Sequence, residues 1–559
     1  MIENILKKSR RYIFGPSHPK WAELLRESVS QWETAKIKAK DGTNILLATS
    51  AGYYAPGTVI ESMLAVALTL RGANVHALLC DKILPACMVA EIKKFPRVKQ
   101  FAIHGPSKLC RRCFAPAEKM YRSLGVTVHK YSDTLSPADI ESAEKLSSTI
   151  SFEEIKSFKM NNLAVGEHAM AGALRFYARG NLNGEAYAEA VVRRYFLAAL
   201  LTCLATQKLF DTHDFSCACF HHGIYVPQGI IGEVARQKGV HVVNWHQAYR
   251  KQCFIFSHND TYHHTLLSEP IANWEQISWS AEIEADTLAY LKSRWQGTQD
   301  WICFNSEPRE ELSAIERELG VNFSRPCIGM LSNVIWDAQL HYPANAFSDM
   351  IDWALRTIQY FSERPDLQLI IRIHPAEIRG DIPSRQPMLD EIKKAFPTLP
   401  ENVFVIPPES EISTYAVMFQ CNAVIIYGTK TGVELSSLGI PVVVAGEAWI
   451  RGKKLTLDAS SPEQYFKLLD RLPLSERLSP EDTQRARKYA YHFFFRRMIP
   501  LNFIKQQPGD WPPISLELKG LDDLMPNRSD GLDVICDGIL TGSEFIYPAE
   551  KISNNNISR

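Results

Sequence analysis

Short apolar segments alternate with helical segments along most of the chain, and glycine-containing turns separate them. NILLAT at 44–49 and NVHALLC at 74–80 flank one helical stretch, and LQLIIRI at 367–373 and AVIIY at 423–427 continue the pattern. Such runs are typical of buried parallel strands. The alternation predicts parallel sheets with helices on both faces, and ligand sites at the carboxyl ends of their strands.

The length requires more than one domain, because 559 residues exceed one ordinary core. Two strand–helix series are separated by a polar stretch near 270–300. We therefore predict an α/β protein with two doubly wound, Rossmann-like domains facing a cleft. The predicted organisation is a helical segment at 1–40, a first domain with a helical insertion at 41–295, a second domain at 296–480, a helix at 481–505 returning toward the first domain, and a tail at 506–559.

Charge and apolar patterning exclude several classes of protein. Lys plus Arg and Asp plus Glu both number 62, which argues against a general nucleic-acid binder. The longest apolar run, at 195–206, is shorter than the roughly 20 residues that cross a bilayer. The N-terminus is basic but lacks the apolar stretch of a secretory signal. We expect a cytoplasmic protein, in which the twelve cysteines are thiols or metal ligands.

An aromatic and basic stretch, YAYHFFFRRMIP at 489–500, has two interpretations. Packing between domains is the favoured one. The other is a peripheral contact with the inner membrane face, together with the basic residues at 7–11.

The segment YGTKTGVE follows an apolar strand and opens a helix. A helix start offers unpaired N–H groups, and the hydroxyls, glycines and lysine of this turn would add donors, close approach and charge. The pattern predicts a phosphate cradle, although the spacing is not that of a Walker loop. The alternative is a simple helix cap. The residues concerned are Gly428, Thr429, Lys430, Thr431, Gly432 and Glu434.

Two further segments end strands of the second series. In IRIHPAE, Pro375 stops the strand, so Arg372 and His374 are expected to face the cleft and donate to a phosphate or ribose. The alternative for His374 is a purely structural role.

The loop GEAWIRGKK follows a strand and is expected to cover the same cleft. Glu447 would bind ribose or sugar hydroxyls, while Arg451 and Lys453 would neutralise a diphosphate. The alternative is a solvated charged loop.

The first series contributes histidines to a strand-to-helix turn, HHGIYVPQG. His222 could act there as a general base or phosphate ligand, with Glu233 downstream as a second candidate base. His246 and Arg250 follow the next strand and are expected at the same edge. His221, His263 and His264 are expected to be structural.

Four cysteines have a spacing that suggests a metal site. Cys80 ends a strand, Cys87 follows seven residues later, and Cys110 and Cys113 form a CxxC pair. Four thiolates could hold a structural zinc ion. An iron–sulfur cluster and plain thiols are the alternatives.

The second half resembles bacterial capsule and surface-polysaccharide glycosyltransferases of the GT-B type. The resemblance is carried by IRIHPAE at 371–377, YGTKTGVELSSLGIPVVVAGEAW at 427–449 and the helix near 480–500. In the related Kdo-transferase and sialyltransferase groups, a His-Pro pair and the following helix start hold the nucleotide's phosphate. The resemblance implies this role for His374, Pro375 and the turn 429–431. The Glu-x7-Glu pattern of many retaining members is absent.

The expected function is therefore metal-independent transfer of a sugar from a nucleotide sugar to a capsule, surface-polysaccharide or glycoconjugate acceptor. His222, Glu233 and His374 are the expected catalytic residues, and no nucleic-acid partner or catalytic metal is expected. Alternatives are a CDP-polyol phosphotransferase of the teichoic-acid type, a nucleotide-sugar-binding scaffold in a polysaccharide export complex, and a non-hydrolysing sugar-nucleotide epimerase.

Overall fold

The structure is a computed structural model that describes residues 16–295, 299–301, 304, 307–337, 343–506 and 514–550. The chain forms two compact units. The first contains residues up to Tyr177, Leu182–Tyr262 and Arg497–Tyr547, and the second contains Ala178–Asn181, His263–Arg496 and the residues from Pro548 onward. The boundary expected at 295/296 falls within the second unit, and a common cleft stays a prediction.

Fifteen strands occur in the described residues. They are β1 (Asn44–Ser50), β2 (Asn74–Leu79), β3 (Thr127–Lys130), β4 (Cys217–His221), β5 (His241–Gln247), β6 (Cys253–His258), β7 (Cys327–Leu331), β8 (Gln368–Arg372), β9 (Val403–Ile406), β10 (Ala423–Ile426), β11 (Val442–Val444), β12 (Leu457–Asp458), β13 (Ile499–Pro500), β14 (Ile504–Gln506) and β15 (Ile514–Leu516).

The α-helices that accompany these strands are named below by their bounds. They are Trp21–Leu24, Val29–Ala39, Ala55–Leu70, Val98–His104, Ser107–Cys110, Phe114–Ser123, Tyr131–Thr134, Pro137–Thr149, Phe152–Ile155, Val165–Tyr177, Ala188–Thr212, Gln228–Gln237, Tyr262–Leu267, Ala272–Glu275, Ala281–Trp295, Leu312–Leu319, Met350–Ser362, Ala376–Arg379, Met388–Ala395, Thr414–Met418, Thr431–Ser436, Pro462–Leu469, Pro480–Tyr491 and Asp530–Thr541. A π-helical turn at His492–Arg496 continues the helix that ends at Tyr491.

The sheet of the first unit has the strand order β13-β6-β5-β4-β1-β2-β3. Five neighbouring strands of this sheet, β5-β4-β1-β2-β3, are mutually parallel. The chain runs outward from β1 through β2 to β3 and then returns to β4 on the other side of β1. The crevice between the carboxyl ends of β1 and β4 is therefore the topological switch point of this sheet, where ligands bind in such folds.

The sheet of the second unit has the order β12-β11-β10-β7-β8-β9, and all its strands are parallel. Its switch point lies between β7 and β10. Two sheets of this topology confirm the predicted fold class of two doubly wound, Rossmann-like units.

The sequence pattern missed the antiparallel edge of the first sheet. β5 and β6 form an antiparallel hairpin, and β13 adds to β6 from a distant part of the chain. Apolar content does not distinguish a parallel strand from an antiparallel one, and the short loop between β5 and β6 is the feature that decides it. The apolar run WICFN at 301–305 also predicts a strand, and its residues 302, 303 and 305 lie outside the described residues.

The apolar strand segments are buried as expected, with every residue of β4 and β7 inside. The helix Ala188–Thr212 buries its apolar residues in the core of the first unit, where Phe101 stacks on Phe176 at 4.4 Å between ring centroids. Each fully buried large apolar side chain contributes about 1.5–3 kcal/mol. Within the described residues, no helix combines the length and apolarity needed to cross a membrane.

Candidate functional site

The switch point of the second sheet brings together the residues that follow β7 and β10. Ser332 and Asn333 follow β7, and Gly428 follows β10 after one residue. A Cβ atom at Gly428 would lie 3.9 Å from Asn333 Nδ2 and 3.9 Å from Glu447 O. The glycine therefore leaves a small space beside an amide side chain and a backbone carbonyl.

The turn that follows Gly428 presents hydroxyl groups. Thr429 Oγ1 lies 3.1 Å from Thr431 Oγ1 and accepts a hydrogen bond from Thr431 N at 3.3 Å. These contacts fix both hydroxyls at the beginning of the helix Thr431–Ser436. Lys430 Nζ lies 3.2 Å from Glu434 Oε1, so its charge is engaged by a carboxylate of the same helix.

His374 stands at the end of β8, as predicted, and its tautomer follows from its contacts. Its backbone N donates to Ser332 Oγ at 3.1 Å, and its Nδ1 accepts from Ala376 N at 3.1 Å. Nε2 must then carry the proton of the neutral ring. Burial, followed by the charges of Lys430 and Arg372, lowers the pKa of His374 to about 4. At neutral pH this residue is therefore an oriented, uncharged N–H donor, placed just before Pro375.

Asn333 was not identified from the sequence. Its Oδ1 is buried and has no hydrogen-bond partner in the described structure. An unsatisfied buried amide oxygen is costly, and its place at a switch point makes Asn333 a candidate ligand contact. The rule that selected His374, a polar residue immediately after a buried strand, would have selected Asn333 as well.

Arg372 does not extend toward this space. Its guanidinium is 3 % exposed and donates to Pro407 O at 2.6 Å and Ser410 O at 3.1 Å. Burial, followed by the charge of Arg379, lowers the pKa of Arg372 to about 10. Contrary to the sequence-based expectation, these contacts make Arg372 a brace for the loop after β9.

Glu434 is also placed internally. Its side chain is fully buried, and its carboxylate contacts Arg294 Nε at 3.0 Å, Lys430 Nζ at 3.2 Å and the hydroxyl of Tyr415. Arg294 also pairs with Asp300. Burial alone would raise the pKa of Glu434, but Arg294 and Lys430 outweigh it and lower the pKa to about 2. This carboxylate holds a buried ionic network and is not presented to a ligand.

Glu447 follows β11 at the same edge of the sheet. Its Oε1 accepts from Ala344 N at 3.0 Å, and its Oε2 lies 3.5 Å from His264 Nε2 and 3.8 Å from His263 Nε2. Trp449 Nε1 donates to His263 Nδ1 at 3.1 Å. The histidines expected to be structural thus surround the carboxylate expected to bind a ligand.

Two cations of the same loop, Arg451 and Lys453, are bound to backbone carbonyls. Arg451 donates to Gly446 O at 3.2 Å and Ala459 O at 2.9 Å. Lys453 is 2 % exposed and donates to Leu267 O. Burial lowers the pKa of Lys453 to about 8. Both side chains hold the loop in place, which differs from the expected diphosphate clamp. Gly432 packs closely on the apolar side chains beneath the turn, where a Cβ atom would lie 2.6 Å from Ile426 Cδ1.

The first unit carries a cluster of aromatic rings at the carboxyl ends of β4 and β5. His222 lies 5.1 Å from His246 between ring centroids, and His246 stacks on Tyr262 at 4.6 Å. His221 Nε2 lies 3.3 Å from the hydroxyl of Tyr54, across the switch point between β1 and β4. The structure therefore brings the predicted pair His222 and His246 together and adds two tyrosines that the sequence did not single out.

Asn244 fixes the turn that carries His222. This residue of β5 is 1 % exposed. With its amide oriented to satisfy both neighbours, it donates to His222 O at 3.0 Å and accepts from Gly223 N at 3.0 Å. His222 itself has a positive φ of 66°, a conformation uncommon for a residue with a side chain. Asn244 is thus a positioning residue that the motif search missed.

Glu233 lies on the helix that follows β4, and Arg250 lies in the turn that follows β5. The Glu233 carboxylate binds Arg236 at 2.8 Å and lies 3.7 Å from His168 Nε2, on the helix Gln228–Gln237. Burial alone would raise the pKa of Glu233, but His168 and Arg236 lower it to about 2, which makes it a weak base. Arg250 lies in the turn between β5 and β6, where its carbonyl accepts from Cys253 N.

The four cysteines singled out from the sequence share one cavity. Cys80, Cys87, Cys110 and Cys113 line it together with Ser50, Ala51, Leu84, Leu109 and Pro227. In the described part of the chain, however, no group of three or more His, Cys, Asp or Glu side chains is arranged to hold a metal ion.

Comparison with known proteins adds three distant structural likenesses. No protein-family model and no curated protein matches the chain. The solved structures similar to it include the β-Kdo 2,4-transferase KpsC of Thermosulfurimonas dismutans, with 13 % identity, a TM-score of 0.33 and coverage of 56 % of this chain and 87 % of that chain. The β-Kdo 2,7-transferase of the same KpsC has 13 % identity and a TM-score of 0.30, with coverage of 57 % of this chain and 88 % of that chain.

A UDP-GlcNAc 2-epimerase from Neisseria meningitidis, bound to UDP-GlcNAc, has 10 % identity and a TM-score of 0.26, with coverage of 80 % of this chain and 94 % of that chain. With TM-scores below 0.5, these likenesses carry no conclusion about this chain. Its fold and its candidate site rest on its own topology and contacts.

Proposed function

We propose that the protein is a glycosyltransferase that binds a nucleotide sugar through its phosphates at the switch point of the second sheet. The observation that carries this proposal is a set of oriented neutral donors at the carboxyl ends of adjacent strands β8, β7 and β10. His374 after β8 is hydrogen-bonded to Ser332 after β7, and the neighbouring Asn333 lies beside Gly428, which precedes Thr429 and Thr431. Hydroxyl, imidazole and amide groups fixed in this way suit the oxygens of a phosphate.

Such donors can act on the chemical step as well as on binding. When the bond between the sugar and the phosphate breaks, negative charge grows on the leaving phosphate. Donors that are already oriented stabilise this charge with little reorganisation. His374 is suited to this role because its ring is held by Ala376 N and its proton is on Nε2. No step in this scheme requires a metal ion from the protein.

The acceptor half of the reaction is assigned to the first unit. We place the general base at His222, because Asn244 fixes its turn and His246 and the tyrosines surround its ring. We do not assign this role to Glu233, since its carboxylate binds Arg236 at 2.8 Å and lies 3.7 Å from His168 Nε2. The acceptor proposed is a hydroxyl of a surface polysaccharide or glycoconjugate.

Binding measurements test the donor site. Isothermal titration with CMP, UDP, GDP, CDP and dTDP should identify one nucleotide that binds, and His374→Ala and Thr431→Val should each weaken its binding. A hydrogen bond to a charged group contributes about 1.5–3 kcal/mol, which corresponds to a loss of roughly 10- to 100-fold in affinity. His374→Gln should recover part of the loss, because its amide can donate from a similar position.

The matched control is Thr398→Val, which alters an exposed threonine of the same unit and should leave affinity unchanged. Unaltered affinity in both His374→Ala and Thr431→Val would contradict the assignment. Turnover of the corresponding nucleotide sugar only in the presence of a glycan acceptor is the expected activity. Turnover without acceptor would instead indicate an epimerase or hydrolase.

A further inference from the structure

Positive charge is concentrated in one segment of the first unit. Residues 92–117, called the basic segment below, contain seven Lys or Arg residues and no Asp or Glu, although the two kinds of charge are equal in number over the whole chain. The segment lies between β2 and β3 and includes the helices Val98–His104 and Ser107–Cys110. A local excess of one charge in a neutral chain favours contact with a partner of the opposite charge.

Most cations of the basic segment are accessible at the surface. Four of the exposed ones are Arg97, Lys99, Lys108 and Arg111. Within the part of the chain that the structure describes, none of these four forms an ion pair, whereas the neighbouring Lys94 binds Glu91 at 3.0 Å. Their charges are therefore not compensated by described carboxylates, and they can attract anionic groups from solution.

The helix Val98–His104 adds an apolar side chain to this charged surface. Its Phe101 is buried and stacks on Phe176 at 4.4 Å between ring centroids, which fixes one face of the helix to the core. The exposed face carries Lys99 and, one turn later, Ile103, which is 55 % exposed. Residues four positions apart lie on the same face of a helix. A cation and an exposed isoleucine are thus presented together on a helix that the core holds in place.

We propose that the basic segment binds the surface of a membrane that contains anionic lipids. Each Lys or Arg near such a surface contributes about a fivefold gain in affinity. An exposed apolar side chain can enter the boundary between the headgroups and the acyl chains. A soluble polyanion would engage the cations and would leave Ile103 in water, so the combination favours a lipid surface. The proposal does not depend on the glycosyltransferase function.

The aromatic stretch at 489–500 does not provide such a surface, because its rings are buried. Tyr491, Phe493 and Phe494 are each at most 2 % exposed. Tyr491 also stacks on Phe495 at 5.1 Å between ring centroids. These rings are packed inside the protein, so we assign the membrane contact to the basic segment instead.

Vesicle sedimentation with the full-length protein tests the proposal. The protein should sediment with vesicles made of equal parts phosphatidylglycerol and phosphatidylcholine, and should stay in solution with vesicles of phosphatidylcholine alone. A triple variant with Lys99→Gln, Lys108→Gln and Arg111→Gln should lower the partition into the mixed vesicles roughly 100-fold, at about fivefold for each cation. Ile103→Ser should lower this partition about tenfold and leave binding to dextran sulfate, a soluble polyanion, unchanged.

The matched control is a triple variant that neutralises three other exposed lysines of the same unit, Lys145, Lys156 and Lys159, to glutamine. It removes the same charge and should bind the mixed vesicles as the wild type does. All six side chains are exposed, so both triple variants should keep the wild-type Tm.

Three results would overturn the proposal. The first is equal sedimentation with the two kinds of vesicle, and the second is an equal effect of the two triple variants. The third is an Ile103→Ser variant that binds the mixed vesicles as the wild type does, while the protein also binds dextran sulfate. That third result would assign the basic segment to a soluble polyanion.

Discussion

The buried carboxylate Glu434 gives a prediction that separates a structural role from a ligand-binding one. Replacing it by Gln removes a negative charge that contacts Arg294 at 3.0 Å and Lys430 at 3.2 Å in the interior of the second unit. Removing one partner of a buried ion pair costs roughly 3–5 kcal/mol, because the other charge is left buried without compensation. We therefore expect Glu434→Gln to destabilise the second unit.

The pKa of Glu434 gives a similar free energy for the stabilisation by this carboxylate. It falls from 4.5 in the unfolded chain to about 2 in the folded protein, and at 1.36 kcal/mol per pKa unit this corresponds to about 3 kcal/mol of stability at neutral pH. Because the folded pKa is depressed, this stabilisation is present above about pH 4.5 and is lost as the pH falls toward 2. For a unit of this size, 3 kcal/mol corresponds to a decrease of about 6–12 °C in Tm.

The assay is thermal unfolding of both proteins at neutral pH and near pH 4, followed by tryptophan fluorescence. Trp295 reports on this region, because its ring lies 5.6 Å from that of Tyr415. The difference in Tm should shrink at the lower pH. The control Glu463→Gln alters an exposed carboxylate that pairs with Lys467, and it should leave Tm unchanged.

Two results would refute this reasoning. An unchanged Tm in Glu434→Gln would mean that the carboxylate does not support the network. A normal Tm combined with lost nucleotide binding would return Glu434 to the ligand-binding role expected from the sequence.

Two further predictions concern the first unit. Burial raises the pKa of Glu61, which accepts from Trp245 Nε1 at 2.9 Å, to about 7. Since the folded protein then holds a proton that the unfolded chain loses, stability should fall as the pH rises from about 5 to about 8. Glu61→Gln should remove this decrease in a series of Tm measurements, and parallel pH profiles of variant and wild type would contradict the assignment. Asn244→Ala should leave His222 O without its amide donor, at a cost of about 1–3 kcal/mol, while Gly223 N keeps its hydrogen bond to His221 O at 2.8 Å. The variant should lower kcat more than it changes nucleotide affinity, and equal kinetic constants in variant and wild type would show that the turn needs no such support.

The sheets could be predicted from the sequence largely because their strands are buried on both faces. Runs such as NILLAT and AVIIY combine continuous apolar character with flanking turns, and the structure places β1 and β10 within them. Strand order follows from chain connectivity only after the crossovers are known. The β6 and β13 edge was missed because its pairing depends on contacts between segments far apart in the sequence.

The positions of the candidate residues in the fold were predictable, and their contacts were less so. A strand-end rule located His374, the turn 429–431 and His222, and the CxxC spacing identified four cysteines that share a cavity. Asn333 and Asn244 were missed because asparagine is common in loops and its role depends on which backbone groups surround it. No sequence pattern reports an unsatisfied Oδ1 or a clamp across a turn.

Three cations at strand ends have contacts that differ from the phosphate binding expected from the sequence. Arg372, Arg451 and Lys453 have the charge expected of phosphate ligands, yet each donates to backbone carbonyls of its own unit. A buried loop has carbonyls that need donors, and a long cationic side chain can satisfy several of them. Sequence alone cannot distinguish this use from ligand binding, because both place Arg or Lys beside a strand end. With those cations engaged, the candidate phosphate contacts that we retain among the described residues are the neutral donors of Thr429, Thr431 and His374. Phosphate recognition there would therefore depend on oriented hydrogen bonds more than on a cluster of free positive charges.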